Sequence, residues 1–385
     1  MTERLFDQNS YCREFEAVVE TVIPERDHYQ VILNQTAFFP EGGGQSADTG
    51  TLNGLYVSDV QEKDGIVYHK MEQPPAVAER VEGILDWSKR YDRMQQHTGE
   101  HILSGLVHNE FGYDNAGFHL GEENCTVDFN GLLTKAQAAE IEILANEAIY
   151  KNLPLEILYP NKEELAELDY RSKIEIEGQV RLVQIPGYDL CACCAPHLQR
   201  TGEIGLIKLV SMQNYKGGVR LSVLCGLRAL ADYSRKEENV KQISTLLSAK
   251  EESISEAVGR LKQENEELKN KLYQQQMQLV AYKAEQIAAE NQVICYFEAE
   301  LTGEAPRELA NRIIKKGARL CAVFCPDSNG DYRYIMGGST EDIRPIGKQL
   351  NQAFNGRGGG SSQMVQGMLR GEQENILKFF DQYKQ

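Results

Sequence analysis

The stretch Gln95-Gln96-His97-Thr98-Gly99-Glu100-His101 sets two imidazoles four residues apart. Apolar Met94, Ile102, Leu103, Leu106 and Val107 recur around it at helical steps, so the pattern predicts a helix over 92–111. On a helix, positions i and i+4 share a face, and both rings can reach one point. Far downstream, Cys191-Ala192-Cys193-Cys194-Ala195-Pro196-His197 repeats the four-residue offset with Cys193 and His197. Three imidazoles and one thiolate suit tetrahedral Zn²⁺. By spacing alone, Cys191 is an alternative to Cys193, and His108 competes from the same side of the helix. Four protein ligands close a tetrahedral site, and closed sites are usually structural, so spacing does not by itself establish catalysis.

The composition limits what surrounds this cluster. With 385 residues, 41% hydrophobic and 25% charged, the chain has the profile of a multidomain globular protein. No apolar run is long enough to span a membrane. The start, Met1-Thr2-Glu3-Arg4, lacks a signal-peptide pattern. Nine cysteines, an odd number with Cys193 and Cys194 adjacent, read as reduced thiols of a cytoplasmic protein. The net charge of −16 argues against general affinity for nucleic acid. The acid sits mostly before residue 234, however. The last hundred or so residues are near neutral and are the place for a local basic patch. There is no Ser-His-Asp order, nucleophile elbow or Lys-containing P-loop.

Working outward, residues 1–88 carry short β-branched runs at regular spacing, which predicts a small β-barrel. Between those runs lies Thr36-Ala37-Phe38-Phe39-Pro40-Glu41-Gly42-Gly43-Gly44-Gln45, where three glycines permit unusual backbone angles and close approach of another chain. Residues 89–232 read as α+β: the two-histidine helix, a strand at 125–129, a helix over 135–151, and a hairpin turning at Lys216-Gly217-Gly218. Residues 233–290 are rich in Glu, Lys and Gln and lack Pro. Val240, Ile243, Leu247, Ile254, Val258, Leu261, Leu268, Leu272 and Leu279 recur at steps of three, four or seven, with Asn265 in the seam. That is a coiled coil or a long two-helix hairpin, a structural segment and a candidate homodimer contact. Residues 291–385 alternate strand and helix. Gly356-Arg357-Gly358-Gly359-Gly360 reads as a loop, either plain or shaped to bind phosphate.

These motifs carry a resemblance. Arg93-Met94-Gln95-Gln96-His97-Thr98-Gly99-Glu100-His101-Ile102-Leu103 resembles the first zinc motif of the alanyl-tRNA synthetase editing domain, shared with threonyl-tRNA synthetase and with free-standing alanyl-tRNA editing proteins of the AlaX type. Cys193-Cys194-Ala195-Pro196-His197, followed by Thr201-Gly202-Glu203-Ile204-Gly205, resembles the second, usually a Cys-Gly-Gly-Thr-His run. Thr36–Gln45 with Asp48-Thr49-Gly50 is similar to the family's glycine-rich barrel motif. Lys216-Gly217-Gly218-Val219-Arg220 is similar to its closing hairpin. Gly356–Gly360 with Met364-Val365-Gln366-Gly367 resembles the terminal DHHA1 domain. Five motifs in order cover nearly the whole chain.

The resemblance implies a multidomain α+β chain. A barrel spans 1–88, a zinc-containing editing domain 89–232, a helical coiled-coil linker 233–290, and an α/β DHHA1-like domain 291–385. Because the chain begins almost at the barrel, a free-standing long-form editing protein is expected rather than a synthetase. The resemblance implies a hydrolase that cleaves Ser-tRNA(Ala), with Gly-tRNA(Ala) as the second candidate substrate, without aminoacylating. His97, His101, Cys193 and His197 would hold Zn²⁺. His97, His101, Gln45 and His119 are the candidate catalytic residues, with the Gly42–Gln45 loop lining the site. Arg357, Gly358, Gly359 and Gly360 would grip tRNA(Ala). Two departures stand out. Cys-Ala-Pro replaces Gly-Gly-Thr between the second pair of ligands, and the stretch around His119 lacks the threonine often found there. A non-catalytic zinc-stabilised tRNA-binding protein and an editor of Ser-tRNA(Thr) are the competing readings.

Overall fold

A computed structural model describes residues 1–121, 125–172, 178–327 and 330–384. The chain forms two compact units, Met1–Lys241 and Gln242–Gln385. In the first, six strands close a barrel in the order Glu14–Pro24, Tyr29–Leu33, Ile66–Met71, Leu55–Lys63, Gly50–Leu52 and Arg80–Leu85. Residues alternate in and out along each strand, so Phe15, Ala17, Val19, Val31, Leu33, Val67, Met71 and Val81 fill the interior. Closure leaves no unpaired edge.

The barrel leads into the helix Trp87–Phe111. Asp86 caps its start by accepting from the Lys89 amide, and Gly112, at φ +69°, ends it. With the helix Lys135–Lys151 it packs on an antiparallel sheet ordered Ile207–Tyr215, Gly218–Cys225, Cys125–Phe129, Asn115–Leu120. A smaller sheet of Glu156–Leu158, Leu182–Ile185 and Asp189–Ala192 carries the cysteine segment. The Thr201–Ile204 segment is a turn of 3₁₀ helix.

One buried ion pair fixes the long helix to the barrel. Arg90 is fully buried; its Nε donates to Asp48 Oδ2 at 2.9 Å, and its Nη1 and Nη2 donate to the Ser10 and Ala37 carbonyls at 3.0 and 2.6 Å. Asp48 Oδ2 also accepts from the Phe39 amide at 2.7 Å. Removing either partner would leave a buried charge unpaired, at a cost of about 3–5 kcal/mol.

In the second unit, a five-stranded sheet runs Val293–Phe297, Leu320–Pro326, Tyr332–Gly338, Met364–Leu369, Arg357–Gly360. The first two strands are parallel, joined through the helix Ala305–Lys315; the other pairings are antiparallel. The segment read as one linker over 233–290 contains two helices, Gly226–Leu247 and Ile254–Gln286, with a break at Ser248, whose φ is +48°. The second of them does not stay free of the sheet domain. Its Val280 and Ala284 are buried in the same core as Leu309, Ile313 and Val323. The run Gly356–Gly360 differs from the expected loop. Residues Arg357–Gly360 form an edge strand paired with Met364–Leu369. Glycine has little strand propensity, so sequence periodicity cannot reveal a pairing that the neighbouring strand imposes.

Inside the barrel, His69 is fully buried. Its Nδ1–H donates to the Val31 carbonyl at 2.9 Å, and the Thr36 hydroxyl donates to Nε2 at 2.8 Å. Burial pushes its pKa down to about 4, so the folded chain keeps it neutral. The unfolded chain takes up a proton near pH 6.5. Between about pH 6.5 and pH 4 only the unfolded state binds that proton, so stability falls with falling pH, by about 3 kcal/mol in all. Urea titrations followed by the fluorescence of Trp87, the single tryptophan, should show this acid loss in the wild type and a flatter profile in His69→Gln. Parallel profiles for the two would contradict the assignment.

Candidate metal centre

The helix Trp87–Phe111 presents His97 and His101 on its buried face, and the loop after Asp189–Ala192 brings Cys193 and His197 opposite them. Ligand atoms of the four residues all lie within 4.8 Å of one another. The Cys193 Sγ is 3.6 Å from His97 Nε2 and 3.4 Å from His197 Nε2. The ring centroids of His101 and His197 are 4.6 Å apart, and those of His97 and His197 4.8 Å. Close packing makes this possible. At Gly105, on the same helix, a Cβ would stand 2.2 Å from the Tyr188 carbonyl oxygen, so only glycine lets the helix approach the Asp189 strand this closely.

Each imidazole is held from behind. His97 Nδ1–H donates to Gln45 Oε1 at 3.1 Å, and His101 Nδ1–H to Asp189 Oδ2 at 2.8 Å. His197 Nδ1 faces Thr98 Oγ1 at 3.4 Å, and that oxygen also accepts from the Leu198 amide. A carboxylate or amide oxygen only accepts, so the proton sits on Nδ1 and the Nε2 lone pair is left for the shared centre. A second layer supports the first. Arg171 grips Asp189 with two bonds of 2.7 and 2.9 Å. Arg181 Nη1 donates to the Cys193 and Ala195 carbonyls at 2.7 and 3.2 Å and clamps the ligand loop.

The electrostatics of Cys193 and His197 match this donor set, whereas on His101 a metal would have to displace a proton. Burial alone would raise the Cys193 thiol, yet His97, His197 and His101 hold it well below the usual thiol range. Burial pushes His197 down to about 3, which keeps its ring neutral. Burial works against charge on His101 as well, but the Asp189 carboxylate and Cys193 raise it well above normal. Three imidazole nitrogens and a thiolate at these separations fit Zn²⁺, whose bonds of about 2.0–2.3 Å place tetrahedral ligands about 3.3–3.8 Å apart. Cys191, the alternative ligand, groups instead with His101 and Asp189. Its thiol is raised by burial, and Arg171 already occupies Asp189. Cys193 is therefore the thiol that faces the three imidazoles. His108 lies outside the group, paired with Asp114 at 3.1 Å.

His97, His101 and Cys193 line a cleft of about 740 Å³ together with Gly43, Gly44, Phe118 and Arg181. The glycine loop reaches it because the Leu120 amide donates to the Gly44 carbonyl at 3.1 Å, joining loop to sheet edge. Gln45 lies behind His97 as a positioning residue. His119 is exposed and does not line the cleft; its strand neighbour Phe118 does, its ring 4.9 Å from that of His97. Side chains alternate along a strand, so an error of one residue in register exchanges the two faces. The catalytic expectation for His119 is corrected accordingly. In the other unit, Arg357, Gly358, Gly359 and Gly360 lie together on an exposed edge, far in sequence from these ligands. Asp189, Arg171, Arg181 and Phe118 are the residues that sequence reading missed. The one local signal was the alternation of Asp189, Cys191 and Cys193 in the cysteine segment.

Two stretches of the chain match known protein families. Residues 180–222 match the family model "Threonyl and Alanyl tRNA synthetase second additional domain", and residues 9–89 match "tRNA synthetases class II (A)". The segment that carries Cys193 and His197 is thus similar to this synthetase additional domain. The chain is similar along almost its whole length to an alanyl-tRNA editing protein of the AlaX type and to the matching part of alanyl-tRNA synthetase. It is 26% identical to the alanyl-tRNA editing protein AlaX-L of Pyrococcus horikoshii, over 98% of this chain and 97% of that one. It is 32% identical to the alanine–tRNA ligase of Pyrobaculum neutrophilum, over 97% of this chain but 43% of the ligase. The chain therefore spans less than half the length of that ligase. The C-Ala domain of Aquifex aeolicus alanyl-tRNA synthetase, a crystal structure, aligns over 25% of this chain and 96% of that domain at 15% identity, with a TM-score of 0.22. No helix among the described residues is long and apolar enough to cross a membrane.

The backing of His101 is directly testable. Asp189→Asn retains the shape but weakens the hold on the imidazole, and it should lower zinc affinity about 10–100-fold. Competition with a chromophoric chelator measures this. An unchanged affinity would remove Asp189 from the site, and an unchanged zinc content in His101→Ala would remove the ligand assignment itself.

Proposed function

We propose that the chain is a trans-editing hydrolase that deacylates tRNA(Ala) mischarged with serine, or with glycine. The observation that carries the reading is the set of backed imidazoles and the Cys193 thiolate at one end of a cleft faced by the glycine loop. Kinship with an AlaX-type protein over almost its full length supports it. The physical need is clear. A pocket built for alanine cannot strongly exclude serine, which adds one hydroxyl, or the smaller glycine, so a second site that hydrolyses the wrong ester restores accuracy.

His97, His101, Cys193 and His197 would hold Zn²⁺. When bound, the metal would supply a positive centre that orients the aminoacyl group, with four filled positions favouring positioning over water activation. The remaining work falls to the chain. Gln45 and Asp189 fix the ring orientations, and Arg181 fixes the ligand loop. Phe118 and the Gly43–Gly44 backbone confine the ester and limit the water around it. In the second unit, Arg357 is exposed on the glycine edge strand and makes no ion pair among the described residues. That leaves it available for a phosphate of tRNA(Ala).

Purified protein should deacylate Ser-tRNA(Ala) faster than Ser-tRNA(Thr). Binding of tRNA without hydrolysis of Ser- or Gly-tRNA(Ala) would instead favour the zinc-stabilised binding protein, and the reverse preference an editor of Ser-tRNA(Thr). At Gly44, φ is +83° and a Cβ would stand 2.8 Å from the Phe118 carbonyl oxygen. Gly44→Ala should therefore slow deacylation roughly 10–100-fold while zinc content stays unchanged. Arg357→Ala should weaken tRNA binding and reduce the slope of log affinity against log salt by about one. A filter-binding series with the same slope as wild type would discard that contact.

A further inference from the structure

Glu100 stands on the helix Trp87–Phe111 between His97 and His101. It is 2% exposed and lines the cleft beside them. It belongs neither to the donor set nor to the groups that hold the imidazoles from behind.

Its carboxylate is fixed from two elements. The Ser104 hydroxyl, one turn further along the helix, donates to Oε1 at 2.6 Å, and Nδ2 of Asn115, on the strand Asn115–Leu120, donates to the same oxygen. Asn115 Nδ2 also donates to Ser104 Oγ at 3.1 Å, and Asn115 Oδ1 accepts from the Gly117 amide at 3.0 Å. All three side chains of this network are buried. A group held in this way loses little further freedom when a ligand reaches it. Both bonds converge on one oxygen, and a carboxylate has about four acceptor sites, so the group retains capacity for a cationic donor. An uncharged amide would serve two neutral donors; a carboxylate adds a full negative charge to the cleft wall beside the histidines.

An aminoacyl ester supplies the matching charge. Its α-amino group is largely protonated near neutral pH, and a hydrogen bond between an ammonium and a carboxylate is about twice as strong as a neutral one. Among the described residues the cleft wall carries one other carboxylate, Asp7, together with Arg4 and Arg181. Asp7 already faces a cation, the Arg4 guanidinium at 3.8 Å, and lies on the N-terminal segment rather than between the histidines.

We propose that Glu100 receives the α-ammonium group of the aminoacyl ester and so selects substrates whose amino group is unmodified. The inference deepens the hydrolytic reading and rests on the cleft being the aminoacyl site. Serine and glycine esters both carry this group, so the contact orients the ester and leaves the side chain to be read elsewhere. An N-acylated ester, such as a peptidyl-tRNA, has no such charge and brings a bulkier group to the same place, so the site leaves it intact.

Two non-hydrolysable probes separate this contact from catalysis: the seryl amide of an aminodeoxyadenosine, and the same amide of glyceric acid, in which a hydroxyl replaces the ammonium. Calorimetry of the full zinc-loaded chain should show the seryl probe binding at least about 10-fold more tightly. Glu100→Gln keeps an acceptor for Ser104 and Asn115 but removes the charge. It should bring the two affinities together by weakening the seryl probe alone, with zinc content and circular dichroism unchanged. Asp7→Asn should keep the preference. Equal affinities in the wild type, or no binding of either probe, overturn the proposal, and that comparison needs no variant to fold. A preference that survives Glu100→Gln, or one that disappears in Asp7→Asn, also overturns it. A preference that behaves as expected, in a chain that leaves Ser-tRNA(Ala) intact, keeps the ammonium site and removes the hydrolytic reading instead.

Discussion

Everything around the cleft follows from one constraint: an imidazole has two nitrogens, and here one of each is already taken. His97 is held by Gln45, His101 by Asp189 and His197 by Thr98, always through Nδ1. The three Nε2 atoms then have one direction left, toward Cys193. Each backing residue comes from a different element. Gln45 belongs to the barrel's glycine loop, Asp189 to the small sheet, and Thr98 to the helix itself. The layers of the first unit must therefore all be in place before every ring is held in orientation. The buried Arg90–Asp48 pair, which seats the helix on the barrel, is what brings Gln45 within reach of His97.

The parts legible in the sequence were those set by local pattern. Cys125–Phe129 and Lys135–Lys151 carry their own periodicity and caps, and their bounds could be read directly. The ligand pairs were legible because a four-residue offset has a geometric meaning on a helix, and because a thiol and an imidazole repeated it. What remained hidden was set by contacts between distant segments. Nothing near Arg171 or Arg181 announces that one grips Asp189 and the other two carbonyls of the ligand loop. His119 and Phe118 differ by one position on a strand whose register comes from its pairing with Cys125–Phe129. The glycine edge strand was hidden for the opposite reason: glycine carries no side-chain pattern to read.

The two units divide the chemistry by charge and exposure. The donor set in the first lies among buried groups, where a thiolate is sustained by imidazoles rather than by water. The glycine strand of the second is exposed along its length, with Arg357 at its start and no bulky side chain to hold a ligand off the backbone. For the proposed tRNA contact, an acidic chain of net charge −16 would need a surface of this kind, small and local, with repulsion elsewhere limiting wrong encounters.

Gln45 adds a consequence for modularity. The barrel has a complete core of its own, and by packing alone it could be treated as a detachable module. Yet its loop donates no ligand and still decides which nitrogen of His97 carries the proton. A chain trimmed to the helix and its sheet would keep all four donors and lose the tautomer of one. The same dependence has an entropic side. His97 and Cys193 are 96 residues apart, and joining them costs about 4 kcal/mol of chain entropy. That closure is offset only once the helix and the small sheet have packed together. The site thus reports on the integrity of the whole unit: a ligand bound there reads out a fold already completed.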